Sequence, residues 1–190
     1  MKSNDHGELS MFSDNILKIM YAPLYYIHYS YLGKLKHNKE FSDELINFWI
    51  IKHNQLSELP EGFIFHDKDD IEFLLVNNWQ LLPNIALLIG CYLDRTSSHK
   101  GIVDSLNCHL FISLPLQCQV KYVEAYHACD VIAVGISFLL ELGSNLPPAL
   151  RQRFLLMFPE GIILPKLCVL KTPDNINLLK MAIVYAKNKF

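Results

Sequence analysis

The chain has 190 residues, of which 51% are hydrophobic and 19% are charged, and its formal net charge is -2. This composition excludes a disordered chain, because disordered segments combine low hydrophobicity with high charge. Lysine and arginine are scattered along the sequence, and this distribution excludes the strongly basic surface with which proteins bind nucleic-acid phosphates.

The N-terminal segment and the cysteines define a broad class of protein. Residues 1–10 are polar and lack the apolar core of a signal peptide, and we predict a flexible N-terminus over residues 1–12 and a single helical domain over residues 13–190. The five cysteines are an odd number without paired spacing, which favours reduced thiols. The longest clean apolar run, Val131 to Leu140, is much shorter than the roughly 20 residues that cross a bilayer, so we predict no direct membrane insertion.

The first half of the chain is predicted to be helical. A short helix begins at Ser13 and ends before Pro23, because a proline disfavours the helical conformation of the preceding residue. Ser42 can cap a second helix that continues to about Leu56, with acidic residues in its first turn. The acidic segment Asp67 to Asp70 begins a third helix, whose apolar residues recur at helical spacing.

Prolines mark several helices of the second half. Pro83 stands in the tolerated first turn of a helix that reaches about Asp94. The apolar segment Val131 to Leu142 fits a buried helix or a strand, and we favour a helix because Ser137 and Glu141 interrupt it and no turn pair indicates a hairpin. Further helices are predicted for residues 102–113, 120–130, 147–158 and 175–189.

These patterns together predict an all-α protein of roughly six to eight helices in one compact domain. Strand patterns are confined to residues 161–164 and 167–170, which indicates a minor β element near the C-terminal third.

One cluster of residue types resembles a metal site. Its members are Cys108, His109, Cys118, His127 and Cys129. Zinc sites use close pairs such as Cys-x-x-Cys, and these residues lack that pairing. We interpret them as buried thiols and ordinary histidines, and we predict no metal and no cofactor. The sequence also lacks a nucleophile elbow and a glycine-rich phosphate loop, so no catalytic residue is predicted and an enzyme is not expected.

Tyrosines are concentrated between residues 21 and 31, which favours a partner-binding surface. Tyrosine combines a large contact area with a polar tip and is enriched at interfaces. The alternative is that the rings pack a helix and a loop against the core with their hydroxyl groups outward. Two arginines after Pro147 are further candidates, although such residues are more often simply exposed. The predicted partner-binding residues are Tyr21, Tyr25, Tyr26, His28, Tyr29, Arg151 and Arg153.

The most distinctive sequence motifs lie in three blocks, residues 19–28, 78–91 and 146–159. In these blocks, and in the closing helix over residues 178–187, the chain resembles the OrgA/MxiK family, also called SctK, of type III secretion systems. Residues between Asp94 and Glu141 match this family poorly. Large aromatics at helical spacing are usually core, so we expect the motif residues to build the scaffold. These residues are Pro23, Trp79, Leu82, Pro83, Gly90, Phe154, Phe158 and Pro159.

The resemblance implies a largely helical, non-enzymatic virulence protein that is cytoplasmic and peripheral to the inner-membrane base of the secretion apparatus. Members of the family act as adaptors in the sorting platform and are required for secretion. Their implied partners are the cytoplasmic domain of the ring protein SctD and the pod protein SctQ, with an indirect connection to the stator SctL and the ATPase.

Two other functions remain open at the level of sequence. One is a type III secretion chaperone or regulator that binds exported proteins, although such chaperones are usually small and acidic and a charge of -2 on 190 residues fits them poorly. The other is a hydrolase or metal enzyme that uses the region from Cys108 to Cys129.

Overall fold

The computed structural model describes residues 14–33, 41–63, 65, 70–94, 108–123 and 130–189. Within these ranges lie eight α-helices and one pair of short strands, which confirms the predicted mostly helical class with a minor β element. The helices are α1 (residues 14–21), α2 (Asp43–His53), α3 (Ile71–Asn77), α4 (Leu82–Leu93), α5 (His109–Ile112), α6 (Val131–Leu142), α7 (Pro148–Leu155) and α8 (Pro173–Lys189). The strands are β1 (Val120–Tyr122) and β2 (Leu167–Val169).

The chain divides into two compact units. The first unit is formed by Met1–Trp79 and Asn145–Gly161, and the second by Gln80–Ser144 and Ile162–Phe190. The single domain expected over residues 13–190 stays a prediction, and the predicted flexible N-terminus lies outside the described residues.

Helix α2 contributes one buried side to the core of the first unit. Ser42 caps this helix as predicted, because its hydroxyl group accepts a hydrogen bond of 3.4 Å from the backbone N–H of Leu45. Ile50 is fully buried and packs in one apolar cluster with Leu32 and Leu156. A hydrogen bond of 2.8 Å from the backbone N–H of Leu24 to Asn47 Oδ1 joins the helix to the preceding chain.

In the second unit, α4 and α6 cross with their backbones in direct contact. A Cβ atom on Gly90 would overlap the carbonyl group of Val131, and one on Gly135 would overlap the carbonyl group of Ala86. Both glycines are therefore required for this close approach. The helix favoured over a strand for α6 is confirmed, and Asp130 caps its N-terminus, because the Oδ1 of Asp130 accepts a hydrogen bond of 3.2 Å from the N–H of Ile132.

The two strands of the second unit are antiparallel, with Val120 opposite Val169 and Tyr122 opposite Leu167. The helix predicted over residues 120–130 is therefore wrong for its first three residues, and residues 124–129 lie outside the described residues. The local pattern gave no sign of this strand, because its hydrogen-bonding partner lies far along the chain. The strand predicted within residues 167–170 is confirmed.

One buried side chain, Asn175, holds the base of this strand pair. Its Oδ1 accepts a hydrogen bond of 3.1 Å from the N–H of Gln119, and its Nδ2 donates to the carbonyl oxygens of Gln119 at 3.0 Å and Leu170 at 2.7 Å. The first turn of α8 therefore fixes the start of β1 and the end of β2 at once.

Several predicted boundaries shift. Pro83 lies in the first turn of α4, as predicted. The helix predicted through Phe158 ends at Leu155 as α7 and continues as turns. Of the helix predicted for residues 102–113, the described part is α5, and residues 102–107 lie outside the described ranges. Among the described residues, no single helix is long and apolar enough to cross a membrane; Ile71–Asn77 and Trp79–Leu93 pass that test only as a pair with a break between them.

Candidate partner-binding surface

The chain after α1 folds into two 3₁₀ turns, Pro23–Tyr25 and Tyr29–Tyr31, and not into a continuous helix. His28 caps the second turn, because its Nδ1 accepts a hydrogen bond of 3.3 Å from the N–H of Ser30. The backbone N–H of His28 donates to the carbonyl oxygen of Leu156 at 2.7 Å, and Ser30 Oγ accepts from the N–H of Glu160 at 2.9 Å. The turns are thus tied at two points to the segment that follows α7.

Tyr26 points inward from these turns. Its hydroxyl group donates a hydrogen bond of 2.6 Å to the carbonyl oxygen of Ile19, and its ring meets the ring of Trp79 edge to face at 5.8 Å. Burial raises the pKa of Tyr26 well above its ordinary value, and the positive charge of Arg153 partly opposes that shift. Tyr26 therefore stays a neutral hydrogen-bond donor and anchors the turns to the core.

Three other tyrosines point outward. Tyr21, Tyr25 and Tyr29 are 60%, 75% and 68% exposed, which is high for large aromatic side chains. The ring of His28 lies 4.2 Å from the ring of Tyr29 and is half-buried. We refer to Tyr21, Tyr25 and Tyr29 as the tyrosine surface. The predicted cluster thus separates into this outward set and the inward Tyr26.

Arg153 is buried, with only 2% of its surface exposed. Its Nη1 donates hydrogen bonds to the carbonyl oxygens of Ser57 at 2.8 Å and Ala149 at 3.0 Å, while its Nη2 and Nε donate to that of Met20 at 3.0 and 3.3 Å. Burial lowers the pKa of Arg153, and the neighbouring Tyr26 acts in the opposite direction. The guanidinium group therefore joins three separate segments of the first unit.

This position corrects the prediction of a partner contact at Arg153, because a buried side chain that bonds to three carbonyl groups of its own chain does not reach a partner. A signal for its burial exists in the sequence. Ala149, Arg153 and Met157 are spaced by four residues, so Arg153 shares a side of the chain with two apolar residues, and both are buried. Arg151 is half-buried and remains a candidate.

The residues of the metal-like cluster differ in their exposure to solvent. Cys108 is buried, His109 is exposed and Cys118 is half-buried, while His127 and Cys129 lie outside the described residues. Within the described ranges, no group of three or more histidine, cysteine, aspartate or glutamate residues is arranged to hold a metal ion.

Comparison with known proteins identifies the family. Residues 16–188 match OrgA_MxiK, described as a bacterial type III secretion apparatus protein. The chain belongs to this family. It is also similar to the uncharacterized protein YgeO of Escherichia coli (strain K12), with 36% identity over 96 residues that cover 46% of this chain and 67% of YgeO. No solved structure matches the chain. A role in type III secretion follows from the family, which is not a known enzyme family.

The residues of the OrgA/MxiK motif lie mostly in the interior. In the first unit, the ring of Phe154 lies 6.4 Å from that of Trp79 and 5.2 Å from that of Phe158, and Pro23 is buried. Pro159, by contrast, is exposed. In the second unit, Leu82 is fully buried, Pro83 is half-buried and Gly90 lies at the crossing of α4 and α6.

Proposed function

We propose that this chain is an adaptor of the type III secretion sorting platform and that the tyrosine surface binds one of its partners. The observation that carries the proposal is the exposure of Tyr21, Tyr25 and Tyr29 in a member of a secretion apparatus family. Exposed aromatic side chains that cluster in a short segment are typical of protein interfaces.

The turns beneath the tyrosine surface are well suited to this role. Tyr26 anchors them to Ile19 and Trp79, and His28 anchors them to Leu156. A surface whose backbone is already fixed loses less conformational entropy when a partner binds. Tyrosine also loses little side-chain entropy for the area that it buries, which is one reason why it is enriched among energetically dominant interface residues.

The partners that we propose are an SctQ-like pod protein and the cytoplasmic domain of an SctD-like ring protein. The stator and the ATPase would be reached through the pod. Membership of the OrgA/MxiK family supports partners within the apparatus, and a position in the cytoplasm at the inner-membrane base is part of the proposal. Arg151, a half-buried residue of α7, is a further candidate contact at the rim of an interface.

The test is co-purification of an affinity-tagged full chain from a secretion-competent cell. The wild type should recover the SctQ-like and SctD-like proteins. Replacing Tyr21, Tyr25 and Tyr29 together by serine should lower the recovery of at least one of them about tenfold or more, since three interface aromatics contribute well above the roughly 1.4 kcal/mol that a tenfold change requires.

A matched control replaces three other exposed apolar residues, Leu110, Ile163 and Val184, by serine. This variant should recover both partners as the wild type does, because it loses similar apolar area elsewhere. Loss of a partner in the control but not in the tyrosine variant would reject the tyrosine surface. Recovery of exported proteins in the absence of pod and ring proteins would favour a secretion chaperone. Recovery of no apparatus protein, with normal secretion after deletion of the gene, would reject the adaptor function.

A further inference from the structure

Helix α2 is apolar on two sides. One side carries Ile50, which is fully buried in the cluster with Leu32 and Leu156. The other side exposes Leu45 and Phe48 to 49% and 57%, and Phe41, just before the helix, to 38%. Residues 41, 45 and 48 are spaced by four and three, so their side chains lie along one face. An exposed apolar face on a helix whose other side is already buried is typical of an interaction surface.

The exposed face forms a groove of about 480 Å³. Its lining is almost entirely apolar and comes from residues of the α2 segment: Phe41, Leu45, Ile46, Phe48, Trp49, Lys52 and His53. Lys52 Nζ lies 5.7 Å from the centre of the Phe48 ring, and the ring of His53 stacks on that of Trp49 at 4.4 Å. A surface of this kind is suited to contact with another apolar helix.

Charged residues on the same face of α2 indicate that the partner helix is a second copy of α2. Glu44 lies one turn before Phe48 and Lys52 lies one turn after it, and both side chains are exposed. If two copies of α2 pair antiparallel about a two-fold axis next to Phe48, Glu44 of each copy lies across from Lys52 of the other. The same two copies in parallel orientation would bring like charges together. The face is therefore complementary to itself in one direction, as a two-fold symmetric interface requires.

We propose that the outward face of α2 is the interface of a homodimer in which two copies of this helix pair antiparallel, with Phe48 at the centre and a Glu44–Lys52 ion pair on either side. The antiparallel arrangement also places the N-terminus of each helix near the C-terminus of the other, which is favourable for the helix dipoles. One helix of 11 residues provides an interface below the size of most stable complexes, so the dimer is weak and reversible. The proposal does not depend on the adaptor function.

The experiment is sedimentation-velocity and equilibrium centrifugation of the purified full chain over a range of micromolar concentrations. The wild type should show a concentration-dependent equilibrium between monomer and dimer. Phe48→Glu should abolish the dimer, because it places two carboxylates at the centre of the interface. Lys52→Glu alone and Glu44→Lys alone should each raise the dissociation constant by about tenfold or more, since two ion pairs per dimer become repulsive.

The decisive measurement mixes the two single charge variants. One copy of Glu44→Lys and one copy of Lys52→Glu restore both ion pairs, so the mixture should form a heterodimer with a dissociation constant within about threefold of the wild-type value, although neither variant dimerises well alone. Both substitutions are at exposed positions, and circular dichroism would show that each variant keeps its helical fold.

Three results would overturn the proposal. The first is a wild type that remains monomeric at every concentration. The second is a mixture that associates no more strongly than the separate variants, which would mean that the dimer forms through another surface. The third is a crosslinking result: a chain that carries a photo-crosslinking residue in place of Phe48 forms crosslinks only to a different protein of the secretion apparatus and none to a second copy of itself.

Discussion

The interactions inside the first unit differ in kind from those inside the second unit. In the first unit, long polar side chains reach across and bond to backbone groups, and Arg153 alone contacts Met20, Ser57 and Ala149. In the second unit, α4 and α6 meet at positions that have no side chain at all, Gly90 and Gly135. The stability of the first unit therefore depends on a long side chain at Arg153. The stability of the second unit depends on the lack of a side chain at Gly90 and Gly135.

The largest effect is expected where a side chain is added to the second unit. Gly135→Ala should lower the free energy of unfolding by about 3 kcal/mol or more, because the new Cβ atom would overlap the backbone of Ala86 and backbone cannot move aside as a flexible side chain can. Denaturation by urea, followed by circular dichroism, measures this change. Gly90→Ala should behave similarly, since it would overlap the carbonyl group of Val131.

The matched control is Asn177→Ala, which adds no atoms and lies on the exposed side of α8. It should change the free energy of unfolding by no more than about 0.5 kcal/mol. If Gly135→Ala were as stable as this control, the two helices would not be in backbone contact.

A somewhat smaller effect is expected where a side chain is removed from the first unit. Arg153→Met keeps much of the side-chain volume but leaves the carbonyl groups of Met20 and Ser57 without this donor, so it should cost about 2–3 kcal/mol of stability. Arg151→Met, at a half-buried position two residues earlier, should cost less than about 1 kcal/mol. Equal losses for the two variants would show that Arg153 does not join the segments of the first unit.

The last prediction involves no substitution: it compares the reactivity of two cysteines of the second unit in the folded protein. Cys91 in α4 is buried and burial raises its pKa to about 11, whereas Cys168 in β2 is exposed. Since the thiolate is the reactive form, iodoacetamide at pH 8 should modify Cys91 at least about 100-fold more slowly than Cys168. Peptide mapping by mass spectrometry measures both rates. Urea should abolish the difference, and similar rates in the native protein would mean that α4 is readily accessible.

Local sequence patterns predicted most of the helices, because the determinants of a helix lie within a few residues of each other. The cap at Ser42, the first-turn proline at Pro83 and the helical periodicity of α6 were all correct. The strand β1 was not predicted, because three residues carry too little pattern and its stability comes from β2 and from Asn175, both more than forty residues away.

The candidate surface was predictable in part. The sequence located the tyrosines, but it could not separate Tyr26, which points inward, from the exposed set. The directions of Tyr25, Tyr26 and Tyr29 are set by two 3₁₀ turns, and that of Tyr21 by the end of α1. It also placed Arg153 on a surface, because the carbonyl groups that surround it come from segments distant in sequence.

The bonds of Arg153 have a consequence for the order of events during synthesis on the ribosome. Met20 and Ser57 precede Arg153 by 133 and 96 residues, and the whole second unit apart from its last segment is translated between them. A nascent chain that has reached only Ser144 therefore contains α1 to α3 without the residue that joins them. The first 79 residues of this protein therefore cannot complete their packing until Arg153 and Phe154, whose ring packs on that of Trp79, have been synthesised.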